Sequence, residues 1–168
     1  YLTAELYEVH DRDHFEIHAF SYGPDTNDEM NLRIKAGVDH FHNVEVMSHK
    51  DIALLARSLE IDIAVDLGGL TEEARTDIFA MSAAPIQLSY IGFLGTRAAD
   101  YYDYLIADPV MIPRESQKHY AEKIVYLPSF QVNDSKDLPP EIILSREDVG
   151  LPETGFVFCC FNNTWKIT

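Results

Sequence analysis

Ala84-Pro85-Ile86-Gln87-Leu88-Ser89-Tyr90-Ile91-Gly92-Phe93-Leu94-Gly95-Thr96, with Asp103-Tyr104-Leu105-Ile106-Ala107-Asp108-Pro109 close behind, is the stretch that decides the fold. Two short apolar runs, rich in β-branched and aromatic residues and closed by Gly, Asp or Pro, read as two buried strands. Their C-terminal ends open into loops, and in an open α/β sheet that edge is where ligands sit. Gly92 and Gly95 fall where the first run ends. Lacking a Cβ, they either let a backbone come close to a ligand or serve the turn alone.

Upstream, the pattern of a strand followed by a helix repeats. Leu2, Leu6 and Val9 have near-helical spacing, so the sequence opens on a helix. An α/β unit usually places a strand first, and the sequence is therefore read as starting partway through a longer protein. Phe15 to Phe20 alternates as a strand, followed by a helix starting near Thr26 or Asn27 and stopping at Gly37. Val38 to Val44 reads as another strand. His40 and His42 share one of its faces, a spacing able to chelate a metal, but no cysteine or third histidine lies near them in sequence, which favours a solvated face and no metal site. Ser48 and Asp51 form a capping-box start for a helix with the stripe Ile52, Leu55, Ala56 and Leu59. Ile61 to Leu67 is a strand running into Gly68-Gly69, with Thr71 expected to cap a helix carrying Ala74, Ile78 and Phe79. Strand, glycines and helix N-terminus suit a phosphate cradle. Glu72 and Glu73 in the first turn would repel a diphosphate, so this turn reads as mainly structural.

After the opening pair of strands, the pattern predicts a helix over Ser116 to Lys123, a short strand at Ile124 to Leu127, a long polar loop from Ser129 to Pro140 and a capped helix between Ser145 and Gly150. Phe156-Val157-Phe158-Cys159-Cys160-Phe161 is continuously apolar, as in a strand at a sheet centre. Adjacent cysteines on a strand point to opposite faces, so Cys159 and Cys160 are expected as reduced core residues of a cytoplasmic protein. The strand leads to Asn162-Asn163-Thr164-Trp165-Lys166. An amide-rich loop with a lysine there suits an anion such as a diphosphate, or leaves the lysine merely solvated. Together these elements give an α/β fold, a Rossmann-like parallel sheet with flanking helices.

The totals narrow the function. At 168 residues the chain fits one domain, and 46% apolar and 11% aromatic content belongs to a packed protein. A formal charge of -15 argues against non-specific binding to nucleic acid or an anionic membrane surface. No apolar run is long enough to span a bilayer, and Tyr1-Leu2-Thr3-Ala4-Glu5 does not resemble a signal peptide. No G-x-G-x-x-G follows an early strand, which disfavours a nicotinamide enzyme, and no nucleophile elbow is present.

Taken together, Asp66-Leu67-Gly68-Gly69-Leu70-Thr71, Ala84-Pro85-Ile86-Gln87, Gly92-Phe93-Leu94-Gly95-Thr96, Asp103 to Asp108, Tyr120-Ala121-Glu122-Lys123, Leu127-Pro128 and Phe161-Asn162-Asn163-Thr164-Trp165-Lys166-Ile167 resemble the catalytic region of the protein O-linked N-acetylglucosamine transferases. With the plant SPINDLY proteins these form glycosyltransferase family 41, and the likeness runs in order from about Phe15 to the end. It implies that residues 1-168 are a single Rossmann-like lobe, the N-terminal half of a two-lobed GT-B glycosyltransferase. Tetratricopeptide repeats would precede it and a C-terminal catalytic lobe would follow. The implied reaction is an inverting transfer from UDP-N-acetylglucosamine to Ser or Thr of an acceptor protein, with no metal and no other cofactor. Lys166 matches the family lysine that contacts the donor diphosphate and is the implied catalytic residue. Asn163 and Trp165 match positions beside the nucleotide and the sugar, Ile91 and Gly92 the loop lining the donor sugar, and Gly95 and Thr96 the adjoining turn.

Several positions depart from the family pattern. Leu94 stands where proline is common, Leu70 where relatives are more polar or aromatic, and Leu54 and Arg57 where an acidic residue and a histidine are found. The histidine discussed as a base falls upstream of Tyr1, and none of His10, His14 or His18 fits its motif. GDP-fucose and UDP-glucose remain alternative donors, and a non-catalytic Rossmann-like scaffold is the alternative of another class.

Overall fold

The computed structural model describes residues 2–132, 134–137 and 143–160. By its internal contacts the chain divides into two units, Tyr1–Ser135 and Lys136–Thr168. In the first, the order is α1 (Ala4–Glu8), β1 (His18–Ser21), α2 (Glu29–Gly37), β2 (His40–Asn43), α3 (His49–Ser58), β3 (Ile63–Asp66), α4 (Asp77–Ala80), β4 (Ile86–Ser89), β5 (Tyr104–Ala107) and β6 (Lys123–Tyr126). Every strand pairing is parallel, giving one sheet β1-β2 and another β3-β4-β5-β6. The expected α/β Rossmann-like layering is therefore present, divided between two sheets. The edges of β1 and β3 bound a groove of about 730 Å³ whose walls include Ile17, Phe20, Ile63 and Val65.

Local chemistry explains the elements that match the sequence reading. The Ser48 side chain accepts the Asp51 N–H, and α3 then buries Ile52, Ala53 and Ala56. These pack with Val44, Ile78 and Ala83 in the main core cluster, while Leu105, Ala107 and Ile112 form a second one. For α2, the Asp28 side chain accepts the Asn31 N–H, so the cap lies just after the expected Thr26 or Asn27.

Other expectations are corrected. The helix after Thr71 shrinks to α4, because Glu73 adopts φ +63° and the Thr71 hydroxyl donates to the Gly68 carbonyl instead of capping. Arg75 spends its guanidinium on the Val44 and Met47 carbonyls. Arg114–His119 is a 3-10 helix rather than an α-helix over Ser116 to Lys123, and the chain is already in β6 at Lys123.

In the second unit, Ser145 and Asp148 make the reciprocal capping contacts, yet Gly150 at φ +67° closes a turn without a helix behind it. Phe156 to Cys160 forms no strand: Phe156 and Phe158 are 83% and 90% exposed, and Cys159 and Cys160 are exposed as well. The core placement of both cysteines is thus overturned, since among the described residues no ladder partner pairs with this segment to bury it.

Candidate functional site at the loops after β3 and β4

β3 ends on Asp66, which is 5% exposed. An aspartate two residues before a glycine can satisfy the turn's own N–H groups, and here one carboxylate oxygen accepts from both Gly68 and Gly69 at 2.9 Å. The other accepts the Tyr102 hydroxyl at 2.6 Å and lies 3.7 Å from the Arg97 guanidinium. Burial, then the hydrogen bond to Asp66 and its charge, push the Tyr102 phenol well above its ordinary range. Tyr22, whose hydroxyl lies near Gly68, is raised by burial and by the same carboxylate.

Arg97 ties the second loop to the first. Its guanidinium donates to Ser89 Oγ at 2.5 Å and stacks 4.9 Å from the Phe93 ring centroid, while its backbone N–H donates to Glu122 at 2.5 Å. The other Glu122 oxygen accepts the Thr96 hydroxyl at 2.7 Å. Nε and Nη1 of Arg97 are buried with no hydrogen-bond partner among the described residues. The side chain is 1% exposed, so this charge is held chiefly by Asp66, Ser89 and two aromatic faces.

Of the residues expected to line a donor, Ile91, Gly92, Gly95 and Thr96 form this second loop, against Leu67 to Gly69. A Cβ on Gly92 would lie 1.9 Å from the Leu67 carbonyl oxygen, so glycine is required where one backbone meets another. Ile91 is held at φ +59°, a left-handed conformation costly for a β-branched residue. Gly95 sits over the Phe93 ring. Asn163, Trp165 and Lys166 lie outside the described residues.

The neighbouring strand end is built alike. Asp108 follows β5, accepts from Val110, Met111 and Phe130, and these N–H groups hold its carboxyl below the usual range. Gln87 in β4 is fully satisfied: it accepts from Ala83 and donates to the Phe79 and Tyr101 carbonyls.

The sequence reading passed over Asp66, Arg97, Tyr102 and Glu122 as participants. Asp66 carried a local signal, the Asp before Gly-Gly. The partners of Arg97 lie 8, 25 and 31 positions away, and nothing in the local pattern points to them. His10, His14 and His18 are absent from this edge; His10 contacts the Leu6 carbonyl and His14 pairs with Asp11.

Residues 1–143 match the family described as glycosyl transferase family 41. The chain is 39% identical to a probable UDP-N-acetylglucosamine--peptide N-acetylglucosaminyltransferase SEC of Arabidopsis thaliana, over 99% of the chain and 18% of that protein. It is 31% identical to the UDP-N-acetylglucosamine--peptide N-acetylglucosaminyltransferase of Caenorhabditis elegans, over 80% of the chain and 12% of the relative. A mutant of the Thermobaculum terrenum O-GlcNAc transferase superposes with a TM-score of 0.76 at 28% identity, covering 84% of this chain and 27% of the other. The chain thus spans less than a fifth of the length of these two curated relatives.

Proposed function

Because the chain belongs to glycosyltransferase family 41, we propose that it is the N-terminal Rossmann-like lobe of a two-lobed protein O-glycosyltransferase that moves N-acetylglucosamine from UDP-N-acetylglucosamine to Ser or Thr hydroxyls of acceptor proteins. The observation that carries this is the family match across residues 1–143, which runs through both loops packed together at the C-terminal edge of the four-stranded sheet. The names of the Arabidopsis and Caenorhabditis relatives support this donor and a protein acceptor.

In this reading the transfer is inverting. The acceptor oxygen attacks the anomeric carbon from the face opposite the diphosphate, the bond to the phosphate oxygen breaks, and its electron pair leaves on UDP. Lys166 offsets the charge that grows on that leaving group, without a metal at the reacting atoms. Ile91 and Gly92 line the sugar, Gly95 and Thr96 form the adjoining turn, Asn163 lies beside the nucleotide and Trp165 beside the sugar. The buried Asp66–Arg97–Glu122 frame fixes the loops beforehand, so little reorganisation accompanies the reaction. The acceptor's proton goes to a group outside this chain. A C-terminal catalytic lobe completes the site, and tetratricopeptide repeats precede this lobe in the full-length protein. A cytoplasmic location belongs to the same proposal; among the described residues no helix is long and apolar enough to cross a membrane.

The test uses the full-length parent protein with UDP-N-acetylglucosamine, GDP-fucose and UDP-glucose offered separately. N-acetylglucosamine should be the sugar transferred, and Lys166→Ala should lower kcat by about 100-fold or more while leaving the circular dichroism spectrum unchanged. Transfer of fucose alone overturns the donor, and an unimpaired Lys166→Ala variant overturns the role of the lysine.

A further inference from the structure

β1 and β2 run parallel with His18 opposite His40 and Phe20 opposite His42. This register puts three of the chain's seven histidines on one face of a two-stranded sheet. The rings crowd together, with centroids 4.4 Å apart for His18 and His40 and 5.3 Å for His18 and His42. Glu16, two residues before β1, joins them: its Oε1 lies 2.6 Å from His40 Nε2 and 3.6 Å from His18 Nε2. One donor atom from each of Glu16, His18 and His40 falls within 4.8 Å of the others.

We infer that Glu16, His18 and His40 form a binding site for a divalent transition-metal ion, zinc by its donor set, with His42 orienting His18 from behind. Two imidazole nitrogens and a carboxylate oxygen are borderline donors that suit zinc, cobalt or nickel, whereas calcium and magnesium take all-oxygen sites. Zinc bonds of about 2.0–2.1 Å in a tetrahedron set ligand separations of about 3.3 Å. The two Glu16–histidine distances straddle that value, so a modest side-chain adjustment closes the triangle. His18 Nδ1 meets His42 Nε2 at 3.1 Å. With the ion on Nε2, His18 keeps its proton on Nδ1 and donates it to His42, the supporting hydrogen bond that metal-bound imidazoles nearly always make.

Exposure fits an entry path. The His18 side chain is 10% exposed and anchors the site, while His40 and Glu16 are 48% and 66% exposed and leave a fourth position for water. His40 takes the tautomer with its proton on Nδ1 when the ion replaces the hydrogen bond to Glu16, which frees Nε2 as a ligand atom. His18 and His40 are the first residues of β1 and β2, whereas the glycine loops follow the last residues of β3 and β4. The site is thus at the N-terminal end of β1 and β2, and the ion clamps β1 to β2, a pairing of only two strands.

The test is zinc binding by the full-length parent protein after stripping with a chelator, read as bound zinc per chain by mass spectrometry and, with cobalt as a second probe, as ligand-field absorption. The wild type should hold one more zinc than the His18→Ala/His40→Ala variant, and His42→Ala should bind about 10–100-fold more weakly. His10→Ala should behave as wild type. Equal zinc content and equal cobalt spectra in the wild type and the double variant overturn the inference. Glu16→Gln probes the same site at an exposed side chain with no packing to lose, and zinc affinity unchanged by it overturns the inference too.

Discussion

The two edges of the parallel sheets are built on opposite plans. At the C-terminal edge of β3, β4 and β5, polar side chains are buried and tied to the backbone: Asp66 serves two N–H groups and a phenol, and Asp108 gathers three N–H groups. At the N-terminal edge of β1 and β2, Asp39 accepts the Ile17 N–H, but Glu16 and His40 contact each other in the open and, among the described residues, hold no backbone group in place. The first plan fixes loop positions at the cost of fragility; the second leaves side chains available to a ligand and tolerant of change. Substitutions should separate the two by size.

Asp66→Ala should act most strongly. It orphans the Gly68 and Gly69 N–H groups and leaves Arg97 buried without its carboxylate, a loss of about 4 kcal/mol in chemical denaturation. Gly92→Ala follows at about 3 kcal/mol, the top of the range for overpacking, because its Cβ would meet the Leu67 carbonyl rather than a yielding side chain. A loss below about 1 kcal/mol there would mean that the two loops part readily, and the contrast between the edges would blur.

Acid comes next. The Asp108 carboxyl has a lower pKa folded than unfolded, so its contribution is fully present above the ordinary carboxylate value near 4 and disappears as pH falls through the lower folded value. Asp108→Asn should flatten that acid limb of the stability curve, measured by urea midpoints from pH 2 to pH 6. The smallest effect belongs to the other edge: Glu16→Gln, in the absence of metal, should change stability by less than about 0.5 kcal/mol.

Much of the frame was legible because its causes are local. The short apolar runs holding Ile86 to Ser89 and Tyr104 to Ala107 and the Ser48–Asp51 cap each depend on residues within a few positions. The failures have non-local causes. Nothing next to His40 and His42 announces His18 and Glu16, because parallel pairing with β1 supplies them from 22 to 26 positions away. Arg97 reads as an ordinary loop cation until the fold seats it beside Asp66. Phe156 to Cys160 has the composition of a buried strand, but composition does not provide the neighbours that a strand must bond.

At Gly92 the two loops meet main chain to main chain, with no side chain between them. The gap between them is therefore set independently of what residues 67, 91, 93 and 94 carry. Side chains at these positions can change while the spacing of the two loops stays the same. Leu94, one position before Gly95, is among the side chains free to differ without moving either loop.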